Sequence, residues 1–416
     1  MSENKRIISN VGIRWSGEII NKLLWFVFVI FLARNLGNTN FGYFSYIISF
    51  ASMFVLFTDL GTNTFLTREV SRDNNAAGGH LVNLLGLRFI ISAAVFILIL
   101  LIPKTGKQWT DNGLTVALFA FALLIVGFMD LFNYTFRGLK LMSYETLVLF
   151  VWRLLLVAGG IVVIHFFYGG LQGLAWVFII SSLLGLFFAF MLAKRIIRLK
   201  TTAIKPATWP GILKSSIPLG LIVLFNGFYL KFNTILLGWM GRPEELGWYS
   251  ASFRLLEGTF FIPSIFAGVV FPYFCELSKN ADSKLNKIFQ KSAAVILLIA
   301  ASLAACLFVL SGKIIPFLFG GQFLPAVESF RIIVWSMVFI FPNELFLYFF
   351  ISKGEHNKVI LLMLLNAVIY TILCGLLIPL LGFIGASWIF LATQGMLFVI
   401  YLLLSAVPRR KREASP

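Results

Sequence analysis

Three ionisable residues, Arg14, Glu18 and Lys22, recur at four-residue intervals just ahead of an apolar run from Leu23 to Ala33. On a helix that spacing puts all three on one face, the acid between two cations. A charge at the middle of a membrane span costs about 2.5–3.5 kcal/mol, so such a face turns away from lipid, towards protein or a wet cavity. More charges sit inside later apolar runs: the cations Arg88, Arg153, Lys231 and Arg254, and the acids Asp59, Asp130, Glu257 and Glu344. Six cations thus stand against five acids. In the plainest reading they all neutralise one another, and Arg254 and Glu257, three apart on one helix, pair directly. Yet six buried cations sum to about 15–20 kcal/mol before pairing, a large expense for stability alone. Binding an anionic ligand would supply a reason. Arginine presents a planar fork of donors to phosphate oxygens, and lysine a point charge. Arg14, Lys22, Arg88, Arg153, Lys231 and Arg254 are therefore the candidate anion-binding residues. Carboxyl groups held in a membrane interior can carry protons, which makes Glu18, Asp59, Glu257 and Glu344 the candidates for ion coupling.

Composition says what must position these groups. Of 416 residues, 59% are hydrophobic and only 12% charged, against about 25% charged in soluble domains. The chain reads as an all-α polytopic membrane protein. Its formal charge of +17 fits cationic loops at one membrane face rather than nucleic-acid binding. Cys275, Cys306 and Cys374 have no metal-like spacing and read as free thiols. The first apolar run lacks a small-residue cleavage pattern, so no cleaved leader is expected. His80, His165 and His356 are scattered, and no glycine-rich phosphate loop appears. Neither catalysis, nor a cofactor, nor a metal, nor direct use of ATP is expected.

Apolar runs place twelve spans near 11–33, 43–65, 82–102, 114–134, 146–167, 171–191, 215–238, 248–271, 289–310, 331–350, 359–380 and 384–405. Segments on the side of the N-terminus carry 22 lysines and arginines, and the opposite loops carry 5. This asymmetry predicts cytoplasmic termini. A weak repeat relates the halves. Leu36-Gly37 with Phe41-Gly42-Tyr43-Phe44-Ser45 recurs as Met240-Gly241 with Leu246-Gly247-Trp248-Tyr249-Ser250. Equivalent points lie six spans apart, so the halves share one orientation and are related by an axis along the membrane normal. The basic stretch from Lys194 to Lys214 joins them, giving two six-helix lobes over 1–200 and 201–416. Pro218, Pro263, Pro342 and Pro379 interrupt spans of the second half, as fixed kinks or as flexing points.

The run Leu36-Gly37, Phe41-Gly42, Ser45, Ser49, Asp59-x-Gly61 and Arg68 resembles the start of Wzx-type polysaccharide flippases. The stretch from Phe317 to Ala326, with Gly320-Gly321 at its centre, is similar to that family's turn before the tenth span. These flippases belong to the MOP superfamily, which also holds MATE multidrug transporters and the lipid II flippase. The resemblance covers essentially the whole chain, but it rests on structural glycines and aromatics, which identify a superfamily better than a substrate. It implies a MATE-like pair of six-helix lobes around a cavity that opens alternately to each side of a bacterial inner membrane. The implied cargo is an undecaprenyl-pyrophosphate-linked oligosaccharide of the O-antigen kind, its glycan passing through the cavity while the tail stays among membrane lipid. Other polysaccharide-assembly proteins would be its partners.

Two other functions compete. An ion-coupled exporter of cationic drugs on the same fold would favour a net acidic cavity, against the excess of cations. A membrane polymerase or glycosyltransferase usually carries a long extracytoplasmic loop, and no loop here exceeds about 25 residues. The charge asymmetry is tested by reporter fusions, expected to read cytoplasmic after Arg72, Lys200 and Lys287 and periplasmic after Lys107 and Gly241. Opposite signs at two of these points would overturn the twelve-span topology.

Overall fold

The computed structural model describes residues 3–101, 107–197, 204–278 and 282–406, and the described chain is almost wholly helical. The helices are α1 (Glu3–Asp59), α2 (Thr62–Arg72), α3 (Ala77–Leu101), α4 (Lys107–Gly138), α5 (Met142–His165), α6 (Gly170–Ile196) and α7 (Trp209–Trp239). They continue as α8 (Pro243–Glu257), α9 (Phe261–Leu277), α10 (Asp282–Phe319), α11 (Ala326–Ile333), α12 (Met337–Ser352) and α13 (His356–Ala406). Inside a bilayer backbone groups must be satisfied without water, and apolar runs of about 20 residues do this as helices.

Among the described residues, nine helices are long and apolar enough to cross a membrane. α7, bent by 59° after Pro218, makes a tenth. Two of the ten are double-length: Ser16–Asp59 with 44 residues and Asn357–Ser405 with 49. At about 1.5 Å per residue each is roughly twice the ~30 Å of a hydrocarbon core. Each is kinked at a glycine with non-helical backbone angles, Gly37 (φ 77°) in α1 and Gly382 (φ 59°) in α13. Counting those as two passes each gives the expected twelve. The chain is a multi-pass membrane protein.

Contacts divide the chain into two compact units, Met1–Gly247 and Trp248–Pro416. The first includes α7, which packs on α1 and α2. Its core is aromatic: Phe44, Phe119 and Phe178 meet edge to face, with centroids 5.0 to 6.3 Å apart. The second unit packs α12 against α9, α10 and α13, around Phe274, Phe289, Phe346 and Phe349. Phenylalanine is abundant at 46 residues, and it fills these cores as well as lining the lipid side, where Phe89, Phe187 and Phe317 are exposed. Cys275, Cys306 and Cys374 are free thiols.

Small residues let α7 approach α1. A Cβ on Gly238 would lie 2.1 Å from the Tyr46 ring, and one on Gly227 2.3 Å from Leu56. The two copies of the repeated motif touch reciprocally. A Cβ on Gly42 would lie 2.1 Å from the Pro243 carbonyl oxygen, and one on Gly247 would lie 2.0 Å from Asn38 Oδ1 and 2.4 Å from its carbonyl oxygen. Asn38 also donates from Nδ2 to the Glu244 carbonyl at 3.0 Å. The leading glycines adopt the same left-handed conformation, φ 77° at Gly37 and 72° at Gly241. Gly42→Ala and Gly247→Ala should each destabilise the protein by about 1–3 kcal/mol through overpacking. Gly211→Ala, with open space around it, should not. Melting curves in detergent measure the difference.

Candidate functional site

The first unit contains a cavity of about 400 Å³ among α1, α4 and α5. α1 contributes Gly17, Glu18, Asn21, Lys22 and Trp25, positions that recur every three to four residues and so share a face. α4 adds Tyr134 and Arg137, and α5 adds Glu145, Thr146, Leu149 and Arg153. At Gly17 α1 and α5 meet closely: a Cβ there would lie 2.1 Å from Thr146 Cγ2.

The three cations of this cavity are held in three different ways. Arg137 forms a fork with Glu145, Nε donating to Oε2 at 3.2 Å and Nη2 to Oε1. The Glu145 carboxylate is almost fully buried, and the guanidinium lies 4.2 Å from the Tyr134 ring centroid. Lys22 pairs with Glu18 at 2.9 Å, one turn away, with both side chains about half exposed (54% and 53%). Arg153 has no ion pair or hydrogen bond among the described residues. Its guanidinium lies 4.8 Å from the Trp25 ring and 4.5 Å from the Trp152 ring, and its Nε is sealed from solvent without an acceptor. Indole faces attract a cation by about 0.5–2 kcal/mol and leave its donors unused. Three cations against Glu18 and Glu145 leave the cavity with one net positive charge.

The other expected site residues lie elsewhere. Arg88 is 3% exposed and ties four segments together. Its Nη1 donates to the Gly127 carbonyl at 2.6 Å. Its Nη2 reaches Asp59 Oδ1 at 2.9 Å, Thr62 Oγ1 at 2.9 Å and Asn63 Oδ1 at 3.2 Å. Asp59 in turn accepts from the Asn63 backbone N–H at 3.0 Å, at the start of α2. In the second unit Arg254 pairs with Glu257 at 2.6 Å, as their spacing predicts. Lys231 is half-buried on α7. Glu344 is half-buried on α12, with no hydrogen bond or ion pair among the described residues. The Arg14 side chain lies outside the described residues. Thus Glu18, Lys22 and Arg153 come together, while Arg88 and Asp59 form a separate knot.

Sequence reasoning missed Arg137, which it counted among the loop cations, and Glu145. The readable signal was their position on either side of one short turn, Arg137 in the last turn of α4 and Glu145 in the first turn of α5.

Residues 7–278 match the model of a family described as polysaccharide biosynthesis protein. No curated protein sequence matches. Among solved structures, an inward-facing multidrug resistance MATE family transporter of the MOP superfamily superposes with a TM-score of 0.72 at 16% identity, over 94% of this chain and 96% of that one. The lipid II flippase MurJ, in an inward closed conformation, gives 0.75 at 14% identity, over 94% and 87%. A MOP superfamily transporter from Pyrococcus furiosus, described as having a binding pocket of reverse polarity, gives 0.64 at 16%, over 96% and 93%.

The Arg88 knot and the Arg153 cavity differ in what alanine should do. Removing one partner of a buried pair costs about 3–5 kcal/mol, so Arg88→Ala should deplete the protein from the membrane. Arg153→Ala, which strips no carboxylate of its partner, should leave abundance near normal on an immunoblot of membranes. The match over residues 7–278 identifies the chain as a member of the polysaccharide biosynthesis protein family, built on the fold shared by MATE transporters and the lipid II flippase.

Proposed function

We propose that this protein is a flippase. It moves an undecaprenyl-pyrophosphate-linked oligosaccharide from the cytoplasmic to the periplasmic leaflet of a bacterial inner membrane, for surface polysaccharides such as O-antigen. The observation that carries the reading is Arg153, a guanidinium with no anionic partner among the described residues, lying over the rings of Trp25 and Trp152 and lining a cavity that also contains Lys22 and Arg137. An unpaired cation among membrane helices is expensive, and a diphosphate supplies the missing charge. Membership of a polysaccharide biosynthesis family points to a glycan-bearing cargo.

In this reading the pyrophosphate head group enters the cavity of the first lobe and pairs with Arg153 and Lys22, while the polyprenyl tail stays in lipid. Arg137, already forked to Glu145, shapes the wall and adds to the field without changing partner. The lobes, 1–200 and 201–416, alternate access to the two sides, and both termini are cytoplasmic. Lys231 and Arg254 would meet the cargo in the second lobe. Glu344, uncompensated on α12, leads the acids proposed for ion coupling, ahead of Glu18, Asp59 and Glu257. The alternative, an exporter of cationic drugs, fits a cavity of net positive charge poorly.

The test is export. A deletion strain should accumulate lipid-linked repeat units on the cytoplasmic face, and the wild-type gene should clear them. Loss of charged hydrogen bonds worth about 1.5–3 kcal/mol predicts that Arg153→Ala lowers export about ten- to a hundredfold at normal abundance, with Arg153→Lys intermediate. Normal export by Arg153→Ala would overturn the proposed site.

A further inference from the structure

Membranes are crowded with lipids whose head groups carry one phosphate. A site that takes a lipid-linked diphosphate must reject them, and rejection requires a feature that penalises the competitor as well as one that favours the cargo. The cavity of α1, α4 and α5 contains such a feature. Arg153 is free to take an anion, but Lys22 is already taken by Glu18 at 2.9 Å. Glu145 is committed to Arg137 through two hydrogen bonds and is nearly fully buried. Glu18 is different: among the described residues its one ion pair is with Lys22, and it is half exposed, the kind of pair that is weak and readily exchanged.

We infer that Glu18 acts as a resident anion that makes the site selective for two linked phosphates over one. This rests on the reading of the cavity as the pyrophosphate site. A monophosphate diester carries one charge, which Arg153 satisfies. It gains nothing from Lys22, and the nearby Glu18 carboxylate repels it. A pyrophosphate diester carries two charges. Its first phosphate takes Arg153 and its second replaces the Glu18 carboxylate on Lys22, so one ion pair is exchanged for another. The displaced carboxylate is half exposed already and turns to water. Glu18 therefore withholds Lys22 from the singly charged ligand, while the doubly charged one regains on Lys22 the ion pair that it displaces.

The experiment titrates purified full-length protein in detergent with dimethyl phosphate and with P1,P2-dimethyl pyrophosphate, two probes that differ by one phosphate, and follows binding by phosphorus NMR line width. Wild-type protein should prefer the diphosphate. Glu18→Gln frees Lys22 and should tighten dimethyl phosphate binding by about two- to fivefold, the range expected for a half-exposed ion pair, narrowing the preference. Glu18→Gln combined with Lys22→Gln should abolish that gain, since the gain passes through Lys22. An unchanged preference in Glu18→Gln, or a gain that survives loss of Lys22, would overturn the inference. Arg153→Ala separates the two levels. If it binds the diphosphate as tightly as wild type, the cavity reading itself fails. If it binds weakly while Glu18→Gln leaves the preference unchanged, the cavity reading stands and only the role of Glu18 fails.

Discussion

A cation inside a membrane protein needs a counter-charge or a compelling reason to lack one, and that constraint orders this molecule. Arg88 is enclosed by a carboxylate, a hydroxyl, an amide and a carbonyl, and through them the end of α1, α2, α3 and α4 are fixed to one another. Arg254 has Glu257 on its own helix, and Arg137 has Glu145 across a short turn. Set among them, Arg153 is the exception, because indole faces surround it where the others have carboxylates.

The second constraint is close approach. The repeated motif does more than mark an internal duplication, since its two copies form a contact with approximate two-fold reciprocity. The second glycine of each copy faces the chain just before the second glycine of the other, Gly42 at Pro243 and Gly247 at Asn38. Both leading glycines take a left-handed conformation that ordinary side chains avoid. Glycine at the four places thus has two explanations, backbone turning at Gly37 and Gly241 and contact distance at Gly42 and Gly247. Interfaces between membrane helices favour small residues for this reason, since lipid gives helices no hydrophobic drive to associate.

Much of the fold was legible in the sequence because membrane insertion leaves a coarse signal, about 20 apolar residues per crossing. The turn at Gly37 was readable from its polar neighbours and its repeat. Harder to see was that phenylalanine would fill the cores: apolar composition identifies what is out of water but not which face meets lipid, and Phe44, Phe119 and Phe178 are buried. The site was half legible. Intervals of four on α1 revealed Glu18 and Lys22, and a lone arginine inside an apolar run revealed Arg153. Arg137 and Glu145 escaped because a cation near a span end reads as a loop charge, and their partnership is set by how α4 and α5 close around the turn. Arg88 shows the opposite limit. Its position in an apolar run was plain, but only its surroundings distinguish a structural knot from a ligand contact.

The three cations of the cavity form a graded series, and the grading matters more than their number. A bidentate fork to a buried carboxylate neutralises the charge of Arg137 and commits two of its five N–H donors, so it contributes mainly field and shape. An exposed single contact leaves Lys22 conditionally available. Aromatic faces hold the plane of Arg153 without occupying its donors, which is the way to keep a guanidinium oriented and still unspent. A carboxylate at the same place would have stabilised the empty cavity and then competed with every anion that entered it. Had all three been forked like Arg137, the cavity would be electrostatically closed. Had all three been bare like Arg153, the empty state would be costly and any phosphate would suffice. On the proposed reading, one cation of each kind would give a cavity that holds one site ready for an anion and opens a second only to a ligand able to replace what already occupies it.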